Sequence, residues 1–235
     1  MRNSLSALTL GLTLTLAISA CGGGGGSGTA SSSPMTSTDT FQVRTAYVNY
    51  VTETRSLPFT VTGTTSGNTV TGSGTATQGA LTSATFESQA AQQKTTTVTG
   101  SITANGTTIP LSSSSTTYVD SNYNPLGSDD TDYTVVNSGA SIPATARVND
   151  TGTWYSTIRY TSSTKAIRRG TGSVSYVLEP DTASTALLKI ILTERDNANS
   201  ETSRSTATFR ITPSGALTRI SESFIEGSTS LTLSY

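Results

Sequence analysis

Ser162 and Lys165 are three residues apart, the spacing at which a lysine amine can take the proton of a serine nucleophile. The chain contains no histidine, and Cys21 is its only cysteine, so Ser-His-Asp and Cys-His catalysis are excluded. The tetrapeptide Ser162–Lys165 falls between two predicted strands, and the chain lacks the S-D-N and K-T-G motifs that accompany this spacing. We therefore predict a turn there, no catalytic residue and no enzyme activity.

Carboxylates are the remaining groups that could catalyse a reaction. Two acidic side chains about 5–9.5 Å apart in a cleft can hydrolyse a glycosidic bond. The residues that fit this alternative are Glu179, Asp181, Glu222 and Glu226. A carboxylate-based glycosidase stays open as an interpretation, and it requires two of these groups to meet in one groove.

Oxygen-bearing side chains alternate at Asp120, Asn122 and Asn124, as they do at the start of an EF-hand calcium loop. The sixth position of this loop is a proline where glycine is needed, and the twelfth is a threonine where glutamate is needed. Asx turns in a polar loop between strands explain the pattern more simply. We predict no metal site and no cofactor, although calcium binding by the loop Asp120–Asp132 stays open.

The first 28 residues carry the most specific signal in the chain. Arg2 precedes an uncharged, mostly apolar run from Leu5 to Ile18, and small residues follow that run. This order is typical of an export signal and is too short for a permanent membrane-spanning helix. Cys21 directly follows Ile18, Ser19 and Ala20.

This segment resembles the lipobox of bacterial lipoproteins, in which an apolar residue and two small residues precede a lipid-modified cysteine. The resemblance implies that Cys21 carries diacylglycerol on its sulfur, becomes the mature N-terminus and holds the protein on a membrane through palmitate-like chains. Each buried acyl CH₂ contributes roughly 0.8 kcal/mol, so two or three chains make the attachment effectively permanent. By the same resemblance, Gly22 in place of an aspartate indicates the outer membrane over the inner one. The alternative is an ordinary secretory signal in which Cys21 is incidental.

The composition indicates one domain behind a flexible segment. We expect a signal peptide at 1–20, a lipidated cysteine with a Gly/Ser-rich tether at 21–38 and a single β domain at 39–235. The formal net charge is −1, which gives no electrostatic footprint for nucleic acid. Charged residues make up 12% of the chain, about half the usual share, so hydroxyls replace charges as solvating groups.

Alternating apolar and polar residues, bounded by turn signals about every ten residues, predict an antiparallel all-β domain. Asn105-Gly106 is the strongest hairpin signal. We expect a single sandwich or open, curved barrel of about 10–13 strands. Between Ser56 and Val119 only Glu87 and Lys94 are charged, so sheet edges there lack protective lysines and should be paired within the domain.

Two local patterns give more specific expectations. Apolar residues spaced as in a helix predict a short helix at about 41–54, although a strand also fits 41–51. In the strand around Trp154, strict alternation puts Trp154, Ile158 and Tyr160 on one face. The opposite face would then carry Tyr155, Thr157 and Arg159.

These observations favour a non-enzymatic, lipid-anchored β domain of the bacterial cell envelope with a structural or binding role. Its partners would be membrane lipid through Cys21 and another envelope component or ligand. An alternative is a carrier of an apolar ligand or lipid, in which a curved sheet surrounds a cavity and the N-terminal helix plugs it. An apolar cavity of roughly 300 Å³ or more would favour the carrier.

Overall fold

The computed structural model describes residues 36–235, and the expected signal peptide, Cys21 and most of the tether lie outside this range. No helix within 36–235 is long and apolar enough to span a membrane. The described chain contains one helix and thirteen strands, whose bounds are α1 (Val43–Thr52), β1 (Arg55–Thr65), β2 (Asn68–Gln78), β3 (Thr82–Phe86), β4 (Gln89–Ala104), β5 (Thr107–Val119), β6 (Pro125–Asp129), β7 (Tyr133–Val136), β8 (Thr151–Tyr160), β9 (Arg168–Pro180), β10 (Ala186–Asp196), β11 (Glu201–Ile211), β12 (Leu217–Glu226) and β13 (Thr229–Ser234).

The strands form one antiparallel sheet that closes on itself. The sheet order is β2-β1-β13-β12-β11-β10-β9-β8-β7-β6-β5-β4-β3, and β2 also pairs with β4. Twelve strands therefore make a closed barrel, while β3 is an additional strand on the first part of β4. The prediction of an all-β fold with a short helix is confirmed, and closure of the sheet decides between the sandwich and the barrel.

Inward and outward faces alternate along each strand of the barrel wall. In β2, Val70 and Ala76 are buried inside, whereas the intervening outward residues are threonines and a serine. Thr71 lies directly opposite Thr62 of β1 and Thr103 of β4, so hydroxyl side chains continue across the outer face. The charge-poor strands β1, β2, β4 and β5 all have neighbours on both sides, as expected from their unprotected edges.

Aromatic rings cover glycines at points where two strands come close together. Gly74 lies opposite Phe59, and a Cβ at Gly74 would approach the Phe59 ring to 2.6 Å and the Thr99 carbonyl oxygen to 2.4 Å. Phe86 covers Gly127 on the outside of the wall in the same way, at 2.5 Å. These positions need glycine because any side chain would displace a ring or the backbone.

Helix α1 packs at one end of the barrel and belongs to the main core. Phe41, Val43 and Ala46 have no exposed surface and contact the inner faces of β8–β11 through residues such as Trp154 and Leu188. The helix was expected at about 41–54 and is observed at 43–52. It therefore fills one end of the barrel, as the carrier alternative requires.

Lys94 of β4 fixes the C-terminal end of α1. Its ammonium donates hydrogen bonds to the carbonyl oxygens of Tyr50 at 3.2 Å and Val51 at 2.9 Å, and to that of Glu53. These are the backbone acceptors that a helix end leaves without partners. Burial lowers the pKa of Lys94 to about 8.

The β3–β4 hairpin leaves the barrel and lies against its outer wall. Phe86 stacks on Tyr118 and on Tyr133, with ring centroids 4.4 Å and 5.4 Å apart. Next to it, Glu87 pairs with Lys165 and accepts a 2.7 Å hydrogen bond from the Tyr133 hydroxyl. These two hydrogen bonds lower the pKa of Glu87.

Candidate functional site

The candidate site is a cavity of about 400 Å³ inside the barrel. Its lining extends from Tyr47 and Tyr50 of α1 to Asp130 in the β6–β7 turn and to Arg169 and Glu226 at the opposite end. Arg169 and Glu226 are exposed to solvent, so the cavity is accessible from that end. We call the α1 end the floor and the opposite end the mouth.

A β-bulge gives the floor its aromatic character. The pairing of β8 with β9 shifts between Thr153 and Tyr155, so Trp154 and Tyr155 both face the lumen. The strict alternation assumed from the sequence is therefore wrong for Trp154, which shares the inner face with Tyr155, Thr157 and Arg159. A bulge adds one residue without a cross-strand partner and shifts the side-chain period by one.

Trp154 is held in place by rings on two elements. Its ring meets the Tyr47 ring edge-on at 5.9 Å and stacks on the Tyr176 ring at 5.8 Å. Trp154 is 2% exposed, and its indole N–H has no hydrogen-bond partner among the described residues. Burial raises the pKa of Tyr47 far above its ordinary value and that of Tyr155 to about 12, so both hydroxyls keep their protons at neutral pH.

The two sides of the lumen differ in chemistry. One side is apolar and comes from β9, β10 and β12, with Val174, Ile190, Leu192 and Phe224. Ile190 and Leu192 are only half-buried, because they border the cavity. The other side comes from β4–β8 and carries the hydroxyls of Thr96, Ser115, Thr117, Ser128, Thr134 and Thr157.

The mouth contains an ionic network whose residues come from the β6–β7 turn and from strands β8 to β11. One guanidinium nitrogen of Arg159 lies 2.6 Å from Asp132 and 3.0 Å from Glu194. Arg169 reaches Asp132 at 3.2 Å, and the Ser203 hydroxyl donates to Glu194 at 2.7 Å. Burial raises the pKa of Glu194 despite its ion pair.

The four carboxylates considered for glycoside hydrolysis lie in different places. Glu222 is buried and pairs with Arg219, while Glu226 lies at the mouth. Glu222 and Glu226 are four residues apart on β12, which puts their Cα atoms roughly 13 Å apart along the strand. Outside the cavity, Glu179 pairs with Lys189 at 2.6 Å and Asp181 with Arg210 at 2.6 Å, so the four do not share one groove.

The remaining sequence candidates have local structural roles. Asp120 accepts 2.8 Å hydrogen bonds from the backbone N–H groups of Asn122 and Asn124, as an Asx turn does. Ser162–Lys165 forms the predicted turn between β8 and β9, and Lys165 pairs with Glu87. Within residues 36–235, no group of three or more acidic, histidine or cysteine side chains could hold a metal ion.

Comparison with known proteins finds no matching family model, no similar curated protein and no similar solved structure. A cavity next to the N-terminal helix is what the carrier alternative requires, although the sequence does not distinguish it from a filled core. The ionic mouth was missed, because Asp132, Arg159 and Glu194 are far apart in sequence and meet only when the ring of strands closes. Their one sequence signal is a charged residue at an inward position near the end of a strand or in a turn.

Proposed function

We propose that this protein is a lipid-anchored binding protein of the bacterial cell envelope whose barrel lumen takes up a small amphipathic molecule. The observation that carries the proposal is the cavity of about 400 Å³, which falls in the 300–1,000 Å³ range of ligand pockets. The carrier alternative expected an apolar ligand. The hydroxyl side and the ionic mouth favour a ligand with polar groups as well.

Two features of the lumen support binding over a purely structural role. A protein core is normally packed without voids larger than a water molecule, and an unfilled space this large reduces stability. Ile190 and Leu192 also leave apolar surface uncovered inside the barrel. A ligand that covers this surface would recover the lost contacts.

Occlusion of the lumen tests the proposal. Ile190→Trp should fill the cavity and reduce binding of the neutral, apolar dye N-phenyl-1-naphthylamine by about tenfold or more, measured by fluorescence titration. The matched control is Ile191→Trp, because Ile191 is the next residue of β10 and faces outward. Equal dye binding by both variants, with circular dichroism showing intact folds, would contradict a lumenal site.

The membrane anchor is a separate part of the proposal and rests on the lipobox resemblance around Cys21. A metabolically incorporated alkynyl fatty acid should label the wild-type protein. The labelled protein should sediment with the outer-membrane fraction. Cys21→Ser should lose both the label and the membrane association. Undiminished labelling of Cys21→Ser would overturn the anchor and leave the lumenal site unaffected.

A further inference from the structure

The polar groups of the lumen divide into those that are satisfied inside the protein and those that are not. The charged groups are mostly paired, as Arg159 is with Asp132 and Glu194, and Arg219 with Glu222. The ammonium of Lys94 is likewise occupied by three backbone carbonyls. Among these lumenal residues, therefore, no cationic group is left free to select an anionic ligand.

The lumenal polar groups that lack a partner are uncharged hydroxyls. Among the described residues, the hydroxyls of Thr96, Ser115 and Thr157 make no side-chain hydrogen bond, although all three line the cavity. Because each hydroxyl can donate and accept a hydrogen bond, these side chains favour a ligand that carries both donors and acceptors.

Aromatic rings supply the complementary apolar contacts. Tyr47, Trp154 and Tyr155 border the same end of the cavity, and the first two are in ring contact. Flat π-faces pack against C–H-rich surfaces and leave the N–H or O–H at the ring edge free to bond. An acyl chain would match the rings, but it would leave the hydroxyl side without partners, which is unfavourable for buried polar groups.

Resting on the proposed function, we infer that the lumen of this barrel binds a neutral mono- or disaccharide, with the sugar's C–H face on the partly exposed rings of Tyr47 and Tyr155 and its hydroxyls on the side that carries Thr96. A sugar ring is uncharged, has a C–H face and carries several hydroxyls that both donate and accept hydrogen bonds. It can therefore contact the aromatic rings through its C–H face and the unpaired hydroxyls through its own hydroxyls, and it requires no charged partner.

Trp154 makes the test direct, because it is the only tryptophan of the chain and its fluorescence reports on the floor of the lumen. The probes are glucose, galactose, N-acetylglucosamine, maltose and lactose, titrated into the full mature chain. We expect at least one to change Trp154 fluorescence with a Kd below about 1 mM.

A matched pair of variants locates the binding. Thr96→Val keeps the shape but removes a lumenal hydroxyl, and it should weaken the best saccharide about tenfold by calorimetry. Thr97→Val is the control, because Thr97 is the next residue of β4 and is exposed on the outer wall. Tyr155→Leu, which removes a ring that borders the cavity, should weaken binding similarly, whereas equal affinity of the Thr96 and Thr97 variants would overturn the inference.

The outcomes separate this inference from the proposed function. If no saccharide binds while N-phenyl-1-naphthylamine binds in an Ile190-dependent way, the lumen is a binding site for another ligand class and the saccharide inference is wrong. If neither probe binds in the lumen, both are wrong.

Discussion

The inward turn of Trp154 depends on a single inserted residue in the β8–β9 ladder. Without the bulge at Thr153–Tyr155, Trp154 would face the outer wall and Tyr155 alone would border the lumen. The large ring also links α1 to the wall through Tyr47. At the scale of the residue, the site is therefore created by a local departure from regular strand geometry.

Lys94 is the residue whose loss should most affect the seating of α1. Lys94→Met keeps an apolar stem but leaves three backbone carbonyls without their donor. Since hydrogen bonds to charged groups contribute about 1.5–3 kcal/mol, we expect the free energy of unfolding to fall by that amount in chemical denaturation.

Lys189→Met provides the control for this prediction. Lys189 pairs with Glu179 on the outer wall, and an ion pair that reaches solvent contributes less than about 1 kcal/mol. A loss as large for Lys189→Met as for Lys94→Met would contradict the capping role of Lys94.

Several elements could be predicted from the sequence because their determinants are local. Asn105 and Gly106 have φ values of 50° and 73°, and they form the tight turn that pairs Ala104 with Thr107. Helix α1 also follows from the spacing of its apolar residues. The helix could not be located inside a barrel from this spacing, since the strands that supply its apolar core partners come about a hundred residues later.

The pairing of β2 with β4 could not be predicted for a related reason. Strand β3 lies between them in the chain, and consecutive antiparallel strands usually pair as hairpins. Here β4 is long enough, at 16 residues, to pair with β3 along its first part and with β2 along the rest. The length of β4 is the only sequence feature that indicates two partner strands.

The β3–β4 hairpin should be sensitive to acid through Glu87. The pKa of Glu87 is lowered in the folded state. The stability that the Glu87 carboxylate contributes is therefore present above the ordinary pKa of 4.5 and is lost as the pH falls through the folded pKa. As the pH falls below about 4.5, the NMR ring-current shifts of Phe86 against Tyr118 should therefore decrease.

Glu87→Gln should show the weakened Phe86 contact at all pH values and lose most of this pH dependence. Glu201→Gln is the control, because Glu201 pairs with Arg204 elsewhere on the outer wall. A pH response in Glu87→Gln equal to that of the wild type would assign the acid sensitivity to another group.

At the scale of the whole molecule, the ring depends on the pairing of β1 with β13. Leu233 is 1% exposed and lies opposite Val61 across this seam. We expect Leu233→Ala to lower the free energy of unfolding by about 2–5 kcal/mol, because it opens a cavity between the two strands. Calorimetry or denaturant titration measures the change.

The neighbouring substitution Thr232→Ala is the matched control. Thr232 occupies the outer face of the same strand and should change the free energy of unfolding by no more than about 0.5 kcal/mol. Comparable losses at the two positions would mean that the seam is not held by its inner face.

Pairing of β1 with β13 also determines when the barrel can close during folding. Thr65 and Thr229 share a hydrogen bond although 164 residues separate them, so the ring cannot close until the whole stretch from β1 to β13 has been delivered. Contacts this distant in sequence form slowly. Until then β1 and β12 present unpaired edges to their surroundings, and β1 carries a single charged residue, Arg55. During synthesis, the vulnerable species is therefore the open, incomplete ring, and the speed of its closure sets how long it is exposed to self-association.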